Sequence, residues 1–343
     1  MKASVTKTRT TTGRTKCALA AVLLTGAGAM AVTIDTVPVG NTGNSGDVAE
    51  DGYGAVDYEY NIGTYEVTAG QYTEFLNAVA DTDTYDLYNT DMDPGWWSGC
   101  NIDRSGQAGS YSYSVAGDWA DRPVNFVSWG DAARFANWLH NGQPTGAQDA
   151  TTTEDGAYFL NGATTWPDLA DVDREDDWLW AIPTEDEWYK AAYHQNDGNT
   201  GHYYDYPTSS DSTPSNDLTE PDAGNNATFY DGDYTIGFPD YRTEAGAHEN
   251  SESPYGTFDQ GGNVSEWNEA EISGWLRGVR GGAFDGSGGG DPLRADNRDS
   301  NDPTDEFYTV GFRVASRVPE PGSLALLILG GTGIVARRRR IAA

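Results

Sequence analysis

Apolar positions recur at helical spacing in three windows of the chain. Tyr72, Phe75, Leu76 and Val79 share one face, as do Ala132, Phe135, Ala136 and Leu139, and then Trp188, Ala191 and Ala192. Each window opens on a capping pair: Thr68 with Gln71, Ser128 with Asp131, Thr184 with Glu187. The spacing predicts helices that start at Thr68, Ser128 and Thr184. Short apolar runs predict strands over 32–39, 58–65, 157–161, 178–182, 276–280 and 309–315. From 195 to 262 the chain is turn formers with isolated aromatics, and no repeat of 20–50 residues is present. An α+β domain with long packed loops is expected over 58–316. Residues 32–57 are polar and Gly-rich, and predict a short strand followed by a mobile loop.

The two ends predict export. Lys2, Lys7, Arg9, Arg14 and Lys16 precede a small apolar run, and Ala29-Met30-Ala31 fits a cleavage site, so residues 1–31 are expected to be a signal peptide. At the other end, Pro319-Glu320-Pro321 precedes an apolar run over Ser323–Ala336, then Arg337–Arg340. As a helix that run spans about 21 Å, short of the roughly 30 Å of a bilayer core. Residues 317–343 resemble the PEP-CTERM sorting signal. Such tails are processed by an exosortase in Gram-negative bacteria that make exopolysaccharide. The resemblance implies transfer across the inner membrane, transient anchoring, and a final place at the cell surface or outside it.

Charge narrows the partners. Five of the 21 basic residues lie before residue 32 and four in Arg337–Arg340, while none of the 53 acids does. The rest of the chain therefore carries 12 basic against 53 acidic residues, a formal charge near −41. Nucleic acid and anionic lipid are poor partners for such a surface. Cys17 leaves with the signal, so Cys100 is the one cysteine of the mature chain and no internal disulfide can form. His140, His194, His202 and His248 form no His-x-x-x-His pair, and Gly286–Gly290 lacks the Lys and helix of a phosphate loop.

An ordered set of local signatures carries a family resemblance. Ile62-Gly63-Thr64-Tyr65-Glu66-Val67-Thr68 precedes the first helix, Arg122-Pro123-Val124-Asn125 the second, and Ile182-Pro183-Thr184-Glu185-Asp186-Glu187-Trp188 opens the third. Gly262-Asn263-Val264-Ser265-Glu266-Trp267, Arg280-Gly281-Gly282-Ala283-Phe284 and Val310-Gly311-Phe312-Arg313-Val314 follow. Together they resemble the formylglycine-generating-enzyme, or sulfatase-modifying-factor, domain. That family implies a loop-rich variant of the C-type-lectin fold. Trp129, Trp188 and Trp267 are expected in the core.

The family's chemistry uses two cysteines after the Arg-Gly-Gly motif, with copper. Here residues 281–294 contain no cysteine. Cu(I) needs soft thiolates, which aspartates cannot replace, so no copper is expected and formylglycine generation is not supported. The resemblance implies calcium instead, held by the Asn263 side chain, the Val264 carbonyl and the Glu266 side chain, with a second site near Asn226-Ala227. Two function classes follow. One is a non-catalytic binding module for polysaccharide or protein, using the Gly-rich loop 285–291 and the Tyr/Asp loops of 203–241. The other is an enzyme of different activity on the same scaffold, which would need Asp285, Asp291, Arg294 and Arg298 to converge in one pocket.

Overall fold

The computed structural model describes residues 31–286 and 288–318. Residues 1–30, which hold all but the last residue of the expected signal peptide 1–31, the tail from 319 and Ser287 of the Gly-rich loop lie outside the described residues. No helix among the described residues is long and apolar enough to cross a membrane.

The three predicted helices are present, each with its reciprocal cap. Helix α1 spans Ala69–Val79 behind Thr68, and α2 spans Trp129–His140 behind Ser128. A short α3, Trp166–Ala170, was not predicted; α4, Glu185–Tyr193, starts behind Thr184. The caps satisfy backbone N–H groups that each first turn leaves free. The apolar faces of α1 and α2 meet in the main core, where Tyr72, Phe75, Phe135 and Trp138 stack ring on ring.

Two four-stranded sheets frame this core. The first has the order β1 (Thr36–Val39), β2 (Tyr60–Gly63), β10 (Ala315–Arg317), β5 (Trp180–Ala181), all antiparallel. It joins the two ends of the described chain, with Ala315 opposite Ile62. The second has the order β8 (Asp299–Asn301), β7 (Leu276–Arg280), β6 (Ser265–Ile272), β9 (Val310–Gly311), with β6 and β9 parallel. A separate hairpin pairs β3 (Ile102–Ser105) with β4 (Ser112–Val115). The mixture is α+β, as expected. Trp129, Trp188 and Trp267 are fully buried.

Several expectations are corrected by contacts made far along the chain. Residues 157–161 form no strand. The Asn137 amide instead bonds Tyr158 twice, donating to its carbonyl at 2.9 Å and accepting from its N–H at 2.9 Å. The strand expected from Val32 begins only at Thr36, because Gln143 holds both backbone groups of Val32. The expected strand 309–315 splits into β9 and β10. Between them, the carbonyls of Phe312 and Val314 accept from Val67 and Gly63. Residues 40–57, expected as a mobile loop, are packed against α4: Asp47 accepts from Tyr189 at 2.8 Å and Lys190 donates to the Asn41 carbonyl at 3.1 Å.

Candidate ligand-binding face

The Arg-Gly-Gly motif ends β7 and turns the chain sharply. Gly281 and Gly282 both have positive φ, and a Cβ on Gly281 would lie 2.6 Å from the Gln260 carbonyl. The turn delivers Phe284 to a continuous aromatic face. Tyr241 is its hub, with ring centroids 5.6 Å from Trp97, 5.7 Å from Phe284, 4.9 Å from Tyr234 and 6.4 Å from Phe238. Tyr308 closes the ring at 5.3 Å from Trp97 and 6.1 Å from Phe284. Trp97 is 44% exposed and Phe238 73% exposed, whereas Phe284 is buried as the floor.

Two buried polar side chains hold these loops in register. Arg242 follows Tyr241 and is fully buried. It donates to the Ser98 and Gly99 carbonyls, both at 2.9 Å, and so fixes the backbone behind Trp97. Asn125 donates to the Ser98 carbonyl at 2.8 Å and to the Tyr308 carbonyl at 2.6 Å. Arg242 has no carboxylate partner, and desolvation pushes its guanidinium down to about 10, so it remains charged at neutral pH. Hydrogen bonding to the Asp285 carboxylate, then burial, pushes the Tyr308 phenol up to about 12.

The four residues proposed to form one pocket serve different places. Asp285 lies on the aromatic face beside Tyr308. Asp291 begins a 3-10 turn over 291–293. Arg294 pairs with Asp296 at 3.1 Å and lies 3.9 Å from Asp205. Arg298 and Arg280 both close on Glu185, at 2.6 and 2.7 Å. Arg294 and Arg298 are thus ion-pair partners of acids, and none of the four lines the cleft of about 700 Å³ around Tyr58, Arg174, Trp178 and Glu269.

The calcium ligands expected from the motif are also redistributed. Glu266 is fully buried and its carboxylate is already filled. Arg313 Nε and Nη2 donate to it at 2.6 and 2.7 Å, and Trp188 Nε1 at 2.7 Å. It is an ion-pair partner here rather than an open metal ligand. Asn263 sits at φ +60°, a conformation Asn tolerates, and its Oδ1 is buried without a partner. Val264 is buried beside it. The Asn226 amide donates to Asp222, and the Ala227 N–H to Ser215.

Two carboxylates that the sequence reading passed over fit a cation better. Glu66 is 2% exposed, and neither of its oxygens finds a hydrogen-bond partner among the described residues. Asp259, nearby, accepts from Gly246 at 2.6 Å, and burial pushes it up to about 6. Asp259 and Asn226 also line an enclosed cavity of about 10 Å³, with the unpartnered Nδ1 of His248 close by. That is room for one water-sized particle. No group of three or more His, Cys, Asp or Glu among the described residues is placed to hold a metal ion, so a cation here would draw on backbone and amide oxygens as well. Glu66 stands at the end of a family signature, in an apolar run just before a helix cap; that placement was the available signal.

Copper does not fit. Residues 281–294 offer no sulfur. Cys100 is fully buried, and burial raises its thiol pKa.

The model of the sulfatase-modifying factor enzyme 1-like domain matches residues 14–318. Among solved structures, Treponema denticola variable protein 1 is similar at 19% identity and a TM-score of 0.50, over 84% of this chain and 96% of that one. CarF is similar at 19% identity and a TM-score of 0.47, over 84% of this chain and 99% of that one. PvdO from Pseudomonas aeruginosa is similar at 20% identity and a TM-score of 0.39, over 76% and 82%. No curated protein matches the chain significantly. With its model matched over most of the chain and its signatures placed on one fold, the chain belongs to the sulfatase-modifying factor enzyme 1-like domain family.

Proposed function

We propose that this domain is a non-catalytic binding module of an exported surface or matrix protein, and that it binds polysaccharide through the aromatic face. One observation carries the reading. Beside the Arg-Gly-Gly turn the chain presents packed aromatic rings, and residues 281–294, where the family resemblance calls for a thiol pair, contain no cysteine. Exposed rings stack on the apolar faces of sugars, and carboxylates accept from their hydroxyls. Export and exosortase processing rest on the two terminal segments of the sequence, which support a location near exopolysaccharide.

Trp97→Ala combined with Tyr241→Ala removes one exposed ring and the hub. The expected result is a loss of polysaccharide binding of about 30-fold or more, measured by co-sedimentation of the whole protein with the producing cells' own polysaccharide. Unchanged binding by a folded double variant would overturn the assignment of the face.

Bound calcium belongs to the same reading, with Glu66 and Asp259 as its carboxylate ligands. Two carboxylates with one of them unpartnered in a buried site are costly without a counter-ion. Calcium at a hundredfold excess over its Kd should add about 2.7 kcal/mol of stability. The expected result is a rise of several degrees in Tm over the chelator-treated protein, abolished by Glu66→Gln. Identical Tm values with calcium and with chelator would overturn the calcium site.

A further inference from the structure

We infer that the aromatic face selects glycans bearing protonated amines and rejects anionic ones. The inference rests on the reading of that face as a glycan site and names the chemical class of its ligand. The rim of the face is acidic. Asp285 hydrogen-bonds the Tyr308 phenol, and its charge reaches Tyr234. Asp231 and Asp233 project at the tip of the turn that pairs Tyr230 with Tyr234, and both are exposed. Asp240 immediately precedes the hub Tyr241.

The cations near the rim are already spent. Arg242 is buried beneath the rings with both Nη atoms on backbone carbonyls. Arg122 donates to the Arg242 carbonyl and lies 3.8 Å from Asp240, so its charge is set against an acid of the same rim. Among the described residues, a uronate or sulfate ester reaching this rim would meet carboxylates and arginines already engaged. An ammonium would meet the opposite: carboxylates at the edge and the negative faces of exposed rings. The charge of the whole chain adds long-range attraction for cations. A neutral hexose gains the stacking alone.

The test uses the whole protein and four defined probes: de-N-acetylated glucosamine oligomers, their N-acetylated counterparts, a neutral glucan and alginate. Affinities are read by calorimetry in chelator, which removes any calcium bridge to alginate. The expected result is about tenfold tighter binding of the de-N-acetylated oligomer than of its acetylated counterpart. The preference should shrink with added salt and as the amines lose their protons, and alginate should not bind. Asp285→Asn with Asp240→Asn should lower the preference while sparing stacking, and Trp97→Ala should abolish binding of every probe.

Equal affinity for the acetylated and de-N-acetylated oligomers, both lost in Trp97→Ala, overturns the inference and leaves the glycan-binding reading intact. Undiminished binding of the amine oligomer by Trp97→Ala also overturns it, because the attraction would then be diffuse charge rather than this face. Failure of all four probes, together with the native polysaccharide, removes the reading and the inference with it.

Discussion

Replacing Arg313 by methionine lowers the stability of the domain by about 3–5 kcal/mol, the usual cost of removing one partner of a buried ion pair. Arg313 is fully buried. It donates twice to Glu266 on β6, to the Gly63 carbonyl on β2 at 2.8 Å, and to the Phe258 carbonyl at 2.8 Å. One side chain therefore ties both sheets to the loop before the Gly-Asn-Val turn. Its loss leaves Glu266 without its cation and leaves two carbonyls without donors. Glu66 and Asp259 lose a nearby positive charge at the same time. Chemical denaturation at pH 7 measures the effect. A loss below about 1 kcal/mol, typical of an exposed pair, would show that the guanidinium does not hold this junction.

Replacing Glu306 by glutamine raises stability at alkaline pH and flattens its pH dependence. Glu306 faces the Asp131 carboxyl at the start of α2 and accepts from Asn89. Asp131 already accepts from the Ser128 N–H at 2.9 Å and hydroxyl at 2.7 Å. Two carboxyls in contact share one proton. Burial and then the Asp131 charge push Glu306 up to about 9, and burial pushes Asp131 up to about 6. Asp86 adds repulsion on Glu306 and Asp83 on Asp131, while Arg134 opposes it on Asp131.

The sign follows from linkage. The folded state holds a proton that the unfolded chain releases near its ordinary value of 4.5, so this contribution is full below pH 4.5 and is lost as pH rises through 9. At about 1.4 kcal/mol per unit, and with the proton shared, the loss is on the order of 2–4 kcal/mol. Glutamine donates to Asp131 at every pH. The two proteins should therefore diverge between pH 6 and pH 9, with the variant the more stable at pH 9. A difference that stays constant over that range would sink the shared proton. The pair also matters to the face: Glu306 lies two residues before Tyr308, and Asn89 caps the 3-10 turn that leads toward Trp97.

What was legible in the sequence was local. The three helices start where Thr68, Ser128 and Thr184 meet their capping partners three residues on, because a cap is written within one turn of chain. Strand β7 was also expected over 276–280, and it occupies Leu276–Arg280. The hairpin of β3 and β4 and the eight-residue β6 were missed. Their residues are mostly polar, and their pairing partners rather than their own pattern define them.

The candidate site was legible only in pieces. Loop 285–291 and the Tyr/Asp loops of 203–241 were assigned to one surface, but Trp97 and Tyr308 were not joined to it. The rings meet because Arg242 and Asn125 bind carbonyls far along the chain. Glu266 was read as a metal ligand because the partner that fills it, Arg313, lies 47 residues away.

The sequence by itself determined the absence of a thiol pair, the strong negative charge and the three helix starts, since each is set by residue identity or by neighbours within one turn. Tertiary structure alone decided which carboxylate is paired, which is left without a donor, and which aromatics form one face. Those properties depend on contacts between segments tens to hundreds of residues apart, which no local pattern encodes.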